Sequence, residues 1–171
     1  MQVFETWLEA GGPRVAAILD AHREVICDTV AMRMSTAFPS LCLDPARFDA
    51  IAFQQEMFQN TPRRFHRLMQ VVLRLQAMVV IEREYRWGWT IIPRYGVARH
   101  HVISHARWYF DAARSVAPFR SSDVPYLDDL EGRVLHTIDQ ITVVPGSAAK
   151  RHELNSHSNG YSNGHHERMP R

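Results

Sequence analysis

Residues 87–101 read WGWTIIPRYGVARHH, and this stretch decides how the rest of the chain is interpreted. Gly88 and Pro93 interrupt any helical periodicity here, so we expect a short helix or turn followed by a loop. An aromatic-Gly-Val triplet follows at 95–97, and His101 then opens a long segment with apolar residues on much of its circumference. The stretch therefore predicts a corner that leads into a helix central to the fold.

The rest of the chain carries the same helical signal. Apolar residues recur at three- and four-residue spacing, and Pro, Gly and capping residues separate the segments. Gly11, Gly12 and Pro13 predict a break before the first long helix, since proline is favoured in a first turn. No run shows a competing strand pattern, so we predict an all-α, single-domain fold with helices over about 13–37, 45–59, 63–85, 100–116 and 125–143.

The composition changes after Pro145. Residues 155–166 read NSHSNGYSNGHH, a low-complexity run with almost nothing to bury. The sequence therefore predicts a folded domain over 1–146 and a disordered His/Asn/Ser/Gly-rich tail over 147–171.

Overall composition excludes several classes of protein. The 171 residues carry a net charge of +2, which gives no signal for nucleic acid or a membrane. No apolar run approaches the roughly 20 residues of a membrane span, and the first residues lack a secretion signal pattern. Cys27 and Cys42 form no CxxC pair and no disulfide framework. We expect a cytoplasmic protein without nucleic-acid or membrane partners.

These segments resemble, in order and spacing, the helices of bacterial globins, over about residues 13–143. A helix ending in Ala-Phe-Pro-Ser-Leu resembles the second globin helix, and Tyr-Gly-Val with His101 resembles the corner after the proximal helix. By this resemblance the distal helix, the proximal end with its corner and the last two helices correspond to 63–76, 92–97, 101–114 and 126–141. The resemblance implies a globin-like fold around a ligand pocket.

The chain departs from the globin pattern on one side of that pocket. The position that the resemblance assigns to the iron-binding histidine is Ile92, which cannot bind iron. Pro93 would shorten the proximal helix, and Gly88 stands where globins usually place a leucine against the haem. The resemblance therefore implies a pocket that is retained or enlarged but has lost its iron ligand.

Arginines dominate the span between Pro62 and Arg120. Eleven arginines stand against three carboxylates there, a net charge of +8, and several adjoin an aromatic residue. A guanidinium pairs with carboxylates while an aromatic ring stacks on a flat conjugated ligand. A linear tetrapyrrole (bilin) has this character, and the chain resembles bacterial globins associated with bilin biosynthesis. Cys27 and Cys42 do not match the position that anchors bilin in phycobiliproteins, so we expect non-covalent binding.

The expected binding residues come from the distal helix, the corner and the helix after it. The spacing of His101 and His105 is one that can chelate a metal, but no carboxylate or cysteine pattern accompanies them, so we predict no metal site. The pocket is predicted to be lined by His66, Trp87, Trp89, Ile92, Tyr95, Val97, His101 and His105, with Arg64, Arg94 or Arg99 pairing with propionates.

The leading hypothesis is a bilin carrier, sensor or biosynthesis accessory. The chain has no Gly-rich phosphate loop, nucleophile elbow or HExxH motif, so we do not expect an enzyme. One alternative is a haem protein whose displaced axial ligand is His66, His101 or His105. The other is a haem-free interaction module, similar to haem-free sensor globins, with Met69, Trp89 and Ile92 filling the pocket. Globin-like proteins often pair through their last helices, so a homodimer is expected.

Overall fold

The computed structural model describes residues 2–42 and 56–143. Within these residues the fold is all-helical, as the periodicity predicts. The described residues form six α-helices: α1 Gln2–Ala21, α2 Arg23–Ala37, α3 Thr61–Leu75, α4 Val79–Trp89, α5 Arg99–Val116 and α6 Val124–Val143. Short 3₁₀ turns follow α2 and α4, at Pro39–Cys42 and Ile92–Tyr95, and a π-helical turn, Glu56–Asn60, precedes α3.

Helices that are distant in sequence pair to form the core. α1 packs on α3, α2 on α5 and α3, and both α4 and α5 pack on α6. α5 contacts α2, α3 and α6, so the expectation of a central helix there is confirmed. Its Tyr109 is fully buried against Phe65 of α3. Each apolar side chain buried in this way contributes about 1.5–3 kcal/mol before entropy is counted.

The expected break at Gly11, Gly12 and Pro13 is wrong. α1 runs through all three residues, and the chain breaks instead at His22, between α1 and α2. Gly12 lies against the backbone of α3, where an added Cβ would stand 2.3 Å from the carbonyl oxygen of Leu73. The glycine therefore allows a close approach of two helices, and this packing outweighs its low helix propensity.

The single helix expected over 63–85 is also wrong, because the chain divides there into α3 and α4. Gln76 ends α3 in the left-handed region, at φ 54°, and α4 begins at Val79. A non-glycine residue seldom adopts this conformation, and the sequence between α3 and α4 contains no Gly or Pro that would predict it. The change of direction allows α3 to pack on α1 while α4 packs on α6.

Two predicted segments fall wholly or largely outside the described residues. Residues 45–55 of the expected 45–59 helix are among them, and so is the predicted tail over 147–171. In the part of the chain that is described, no helix is both long and apolar enough to cross a membrane.

Candidate functional site

The corner after α4 carries Ile92, the position that the resemblance to globins assigns to the iron ligand. α4 ends at Trp89, and Ile92 lies beyond it in a 3₁₀ turn with Pro93 in its first positions. The side chain of Ile92 is half-buried against the core. Gly96 then reverses the chain at φ 78°, in the left-handed region that glycine adopts without strain. The corner therefore presents an apolar side chain from outside any α-helix.

Where α3 faces α4, a guanidinium lies over an exposed indole ring, and a glycine of α4 leaves open space nearby. The guanidinium carbon of Arg64 lies 5.3 Å from the ring centroid of Trp87, whose side chain is 55% exposed. Arg64 also forms an ion pair with Glu84. An added Cβ at Gly88 would meet no atom within 4 Å. Trp87 and Gly88 follow Glu84 by three and four residues, so each of them lies beside Glu84 on the surface of α4. We call these four residues the Arg64–Trp87 face.

The segments that carry the Arg64–Trp87 face have a net positive charge. Two carboxylates, Glu82 and Glu84, pair with Arg86 and Arg64 respectively. The arginines of this region outnumber the carboxylates by three, and all five are exposed to solvent: Arg64, Arg67, Arg83, Arg86 and Arg94. A net positive charge attracts anions, and salt weakens this attraction by screening it.

His66 faces away from the Arg64–Trp87 face. It follows Arg64 by two residues, and two residues of an α-helix span about 200° around the axis. Its ring is 1% exposed and lies between Tyr109, 2.9 Å away, and Asp20 of α1, 3.6 Å away. The structure therefore does not bring His66 and Trp87 together, although both are predicted pocket residues.

Gln70 determines which ring nitrogen of His66 carries the proton. The Gln70 amide is oriented by donating to the carbonyl of Ala16 (3.0 Å) and accepting from Nε of Arg74 (3.0 Å). Its second N–H then points at Nε2 of His66, 3.3 Å away. We therefore assign Nε2 as an acceptor and Nδ1–H as the donor to the Tyr109 hydroxyl. Burial lowers the pKa of His66, which agrees with a neutral ring.

The two histidines of α5 differ in what they offer a ligand. Nδ1 of His101 accepts a hydrogen bond from the amide of Ala98 (3.0 Å), and its ring lies 4.5 Å from that of Phe38. His105 is 3% exposed, edge-on to Phe65, and its Nε2 has no hydrogen-bond partner. Burial lowers the pKa of His105 to about 4. An unpartnered buried polar group costs about 1–3 kcal/mol. Nε2 of His105 therefore remains unsatisfied inside the core.

The other predicted site residues lie at different depths. Trp89 packs half-buried against the core, and Val97 is buried. Arg94 and Tyr95 are exposed on the 3₁₀ turn, and Arg99 forms an ion pair with Asp139 of α6. The predicted set thus divides into an interior group, His66, Val97, His101 and His105, a half-buried pair, Trp89 and Ile92, and an exposed group, Trp87, Arg94, Tyr95 and Arg99.

One small cavity lies inside the core that the described residues form. A cavity of about 10 Å³ lies among α1, α3, α5 and α6, lined by Leu19, Met69 and Phe110 among others. That volume is at the lower limit for one water molecule. Sites for small molecules of ordinary size occupy about 300–1,000 Å³. This cavity is therefore too small for a tetrapyrrole, whereas the Arg64–Trp87 face is open to solvent at Trp87.

No family model, curated protein or solved structure matches the chain. What the site binds must therefore be inferred from its own residues. In the described part of the chain, no group of three or more His, Cys, Asp or Glu side chains is arranged to hold a metal ion.

Sequence reasoning missed a buried ion pair that ties α1 to the start of α6. Asp123 is 2% exposed and accepts hydrogen bonds from Arg14 (2.6 Å) and the Trp7 indole (3.2 Å). Burial raises the pKa of Asp123, but these donors outweigh it, so the pKa lies below its ordinary value. The partners are more than 100 residues apart, so no local pattern signals the contact.

Proposed function

We propose that this chain is a globin-like protein that binds a linear tetrapyrrole (bilin) non-covalently at the Arg64–Trp87 face. The observation that carries the proposal is the position of the Arg64 guanidinium over the exposed ring of Trp87, beside the open space at Gly88. A flat ligand stacks on the indole while its carboxylate pairs with the guanidinium.

The order of the helices supports the globin-like part of the proposal. The Phe-Pro-Ser-Leu turn follows α2, α3 covers the segment that resembles the distal helix, and the 92–97 corner leads into α5. The helices also pair around a common core, as globin helices pack pairwise around their pocket.

The states of Cys27 and Ile92 agree with non-covalent binding that needs no iron. Cys27 is fully buried, and burial raises the pKa of its thiol to about 11, so it is not an available nucleophile for attaching a bilin. Ile92 provides no iron ligand at the corner, and a bilin requires none. By the resemblance to globins, we also propose that the chain is a cytoplasmic carrier, sensor or biosynthesis accessory that acts as a homodimer.

A titration with biliverdin tests the proposal. The wild type is expected to shift and sharpen the visible absorption bands of biliverdin at one ligand per chain. Trp87→Leu and Arg64→Gln should each weaken binding about tenfold, equivalent to about 1.4 kcal/mol. Arg120→Gln is the matched control, because Arg120 is also exposed but lies between α5 and α6. Absence of uptake by the wild type would overturn the proposal.

The packed interior favours a second candidate, a haem-free interaction module. The ring of Phe65 lies edge-on to those of His105, Tyr109 and Phe110, with centroids 4.9–6.3 Å apart. The exposed Trp87 and half-exposed Tyr95 would then contact protein, since aromatic residues are enriched at interfaces. A dimer in sedimentation that Trp87→Ala dissociates, together with no uptake of biliverdin or haemin, would favour this candidate over the first.

A further inference from the structure

The arginine of the Arg64–Trp87 face is already engaged by a carboxylate of this chain. Glu84 forms an ion pair with Arg64, and the side chains of the two residues are 29% and 46% exposed. Glu84 precedes Trp87 by three residues and Gly88 by four, so its carboxylate borders the space where the proposed ligand would lie.

A ligand carboxylate and Glu84 would therefore compete for one guanidinium. We propose that Glu84 is a specificity-determining residue that occupies Arg64 in the free protein and must be displaced when a carboxylate-bearing ligand binds. This inference rests on the proposed function, because it concerns the same face and the same ligand class. It adds that the face discriminates among tetrapyrroles by the charge of their side chains.

The exchange is energetically feasible because the pair is partly solvated. Partly exposed ion pairs are weak and are screened by salt, so one carboxylate replaces another at little cost. A ligand without carboxylates cannot replace Glu84 and gains only the stacking on Trp87. A ligand with a carboxylate recovers the pairing but is opposed by the charge of Glu84, which remains nearby.

Glu82 provides an internal comparison. It pairs with Arg86 at 2.6 Å on the same helix, also as a partly exposed ion pair. Glu82 lies two residues before Glu84, about 200° around α4, and therefore on the other side of the helix. Glu82→Gln, like Glu84→Gln, removes one negative charge from α4. Unlike Glu84→Gln, it leaves the ion pair between Glu84 and Arg64 in place.

The test compares the wild type, Glu84→Gln and Glu82→Gln, each titrated with biliverdin and with its dimethyl ester. Glu84→Gln is expected to bind the diacid about fivefold more tightly than the wild type, in the range that one partly exposed charge contributes. It should leave binding of the ester within about twofold. Glu82→Gln should leave both affinities within about twofold of the wild type.

The possible failures are distinguishable. If the wild type binds biliverdin but Glu84→Gln and Glu82→Gln have the same affinity for the diacid, the role of Glu84 is overturned and the proposed function stands. Tighter binding of the ester as well as the diacid in Glu84→Gln also overturns that role, since it would show an effect that does not depend on ligand charge. No uptake of either probe by the wild type overturns both proposals.

Discussion

The ring of His66 and the hydroxyl of Tyr109 meet across 2.9 Å in the core, joining α3 to α5 over a separation of 43 residues. Both side chains are at most 1% exposed, so water cannot replace the bond if either partner is removed. Gln70 contacts Nε2 of the imidazole from the other side, and burial lowers the pKa of the ring. The pair therefore stabilises the contact between α3 and the central helix.

Tyr109→Phe is expected to lower the free energy of unfolding by about 1–2 kcal/mol, because it leaves the buried Nδ1–H of His66 without an acceptor. Urea unfolding at pH 7 measures the loss. Tyr126→Phe is the control, since Tyr126 is half-buried and packs by stacking its ring on Trp7 at 5.0 Å. Equal stability of Tyr109→Phe and the wild type would show that the bond contributes nothing to the fold.

The sequence predicts the parts of the fold that depend on local interactions and misses those that depend on contacts between distant segments. Helical periodicity located α5 and the 92–97 corner because those signals are local. Periodicity does not reveal the split at Gln76, because its left-handed conformation depends on how α3 and α4 pack elsewhere. The sequence predicts a break at Gly12 because the role of this glycine is set by the backbone of α3, which is distant in the chain. The resemblance to the distal helix of globins predicts His66 in the pocket with Trp87, and helix periodicity alone does not identify which neighbour each side of α3 meets.

Acid should destabilise the protein through its buried histidines. Burial lowers the pKa values of His66, His101 and His105, the last to about 4, whereas an unfolded histidine titrates near 6.5. The stability they contribute is therefore fully present above about pH 6.5 and is lost as the pH falls from there towards 4. His105 alone accounts for about 3 kcal/mol over that interval.

Denaturant unfolding at several pH values between 7 and 4 measures this dependence. His105→Phe should flatten the slope, because it removes a group that takes up a proton only on unfolding. Ser104→Ala is the control, because Ser104 precedes His105 in the chain but has no side chain that titrates in this range. A His105→Phe slope as steep as that of the wild type would contradict the assignment of a buried neutral imidazole.

Two glycines of the helices should respond oppositely to alanine. Gly12→Ala places a Cβ 2.3 Å from a backbone oxygen of α3, so the helices must separate, at a cost of about 1–3 kcal/mol. Gly132→Ala meets no atom within 4 Å on the exposed side of α6 and should stabilise by about 0.5–1 kcal/mol. Thermal unfolding should place the two variants on opposite sides of the wild type. A Gly12→Ala variant at least as stable as the wild type would show that α1 and α3 are not in this close contact.

The most direct test of bilin binding at the Arg64–Trp87 face is the affinity for biliverdin of Gly88→Leu compared with Gly132→Leu. An added Cβ has open space at both positions, but only Gly88 borders this face. A leucine at Gly88 should fill the ligand's place and weaken binding by about tenfold or more, equivalent to at least about 1.4 kcal/mol. Gly132→Leu should bind as the wild type does. Wild-type affinity in Gly88→Leu would contradict a tetrapyrrole site on this face.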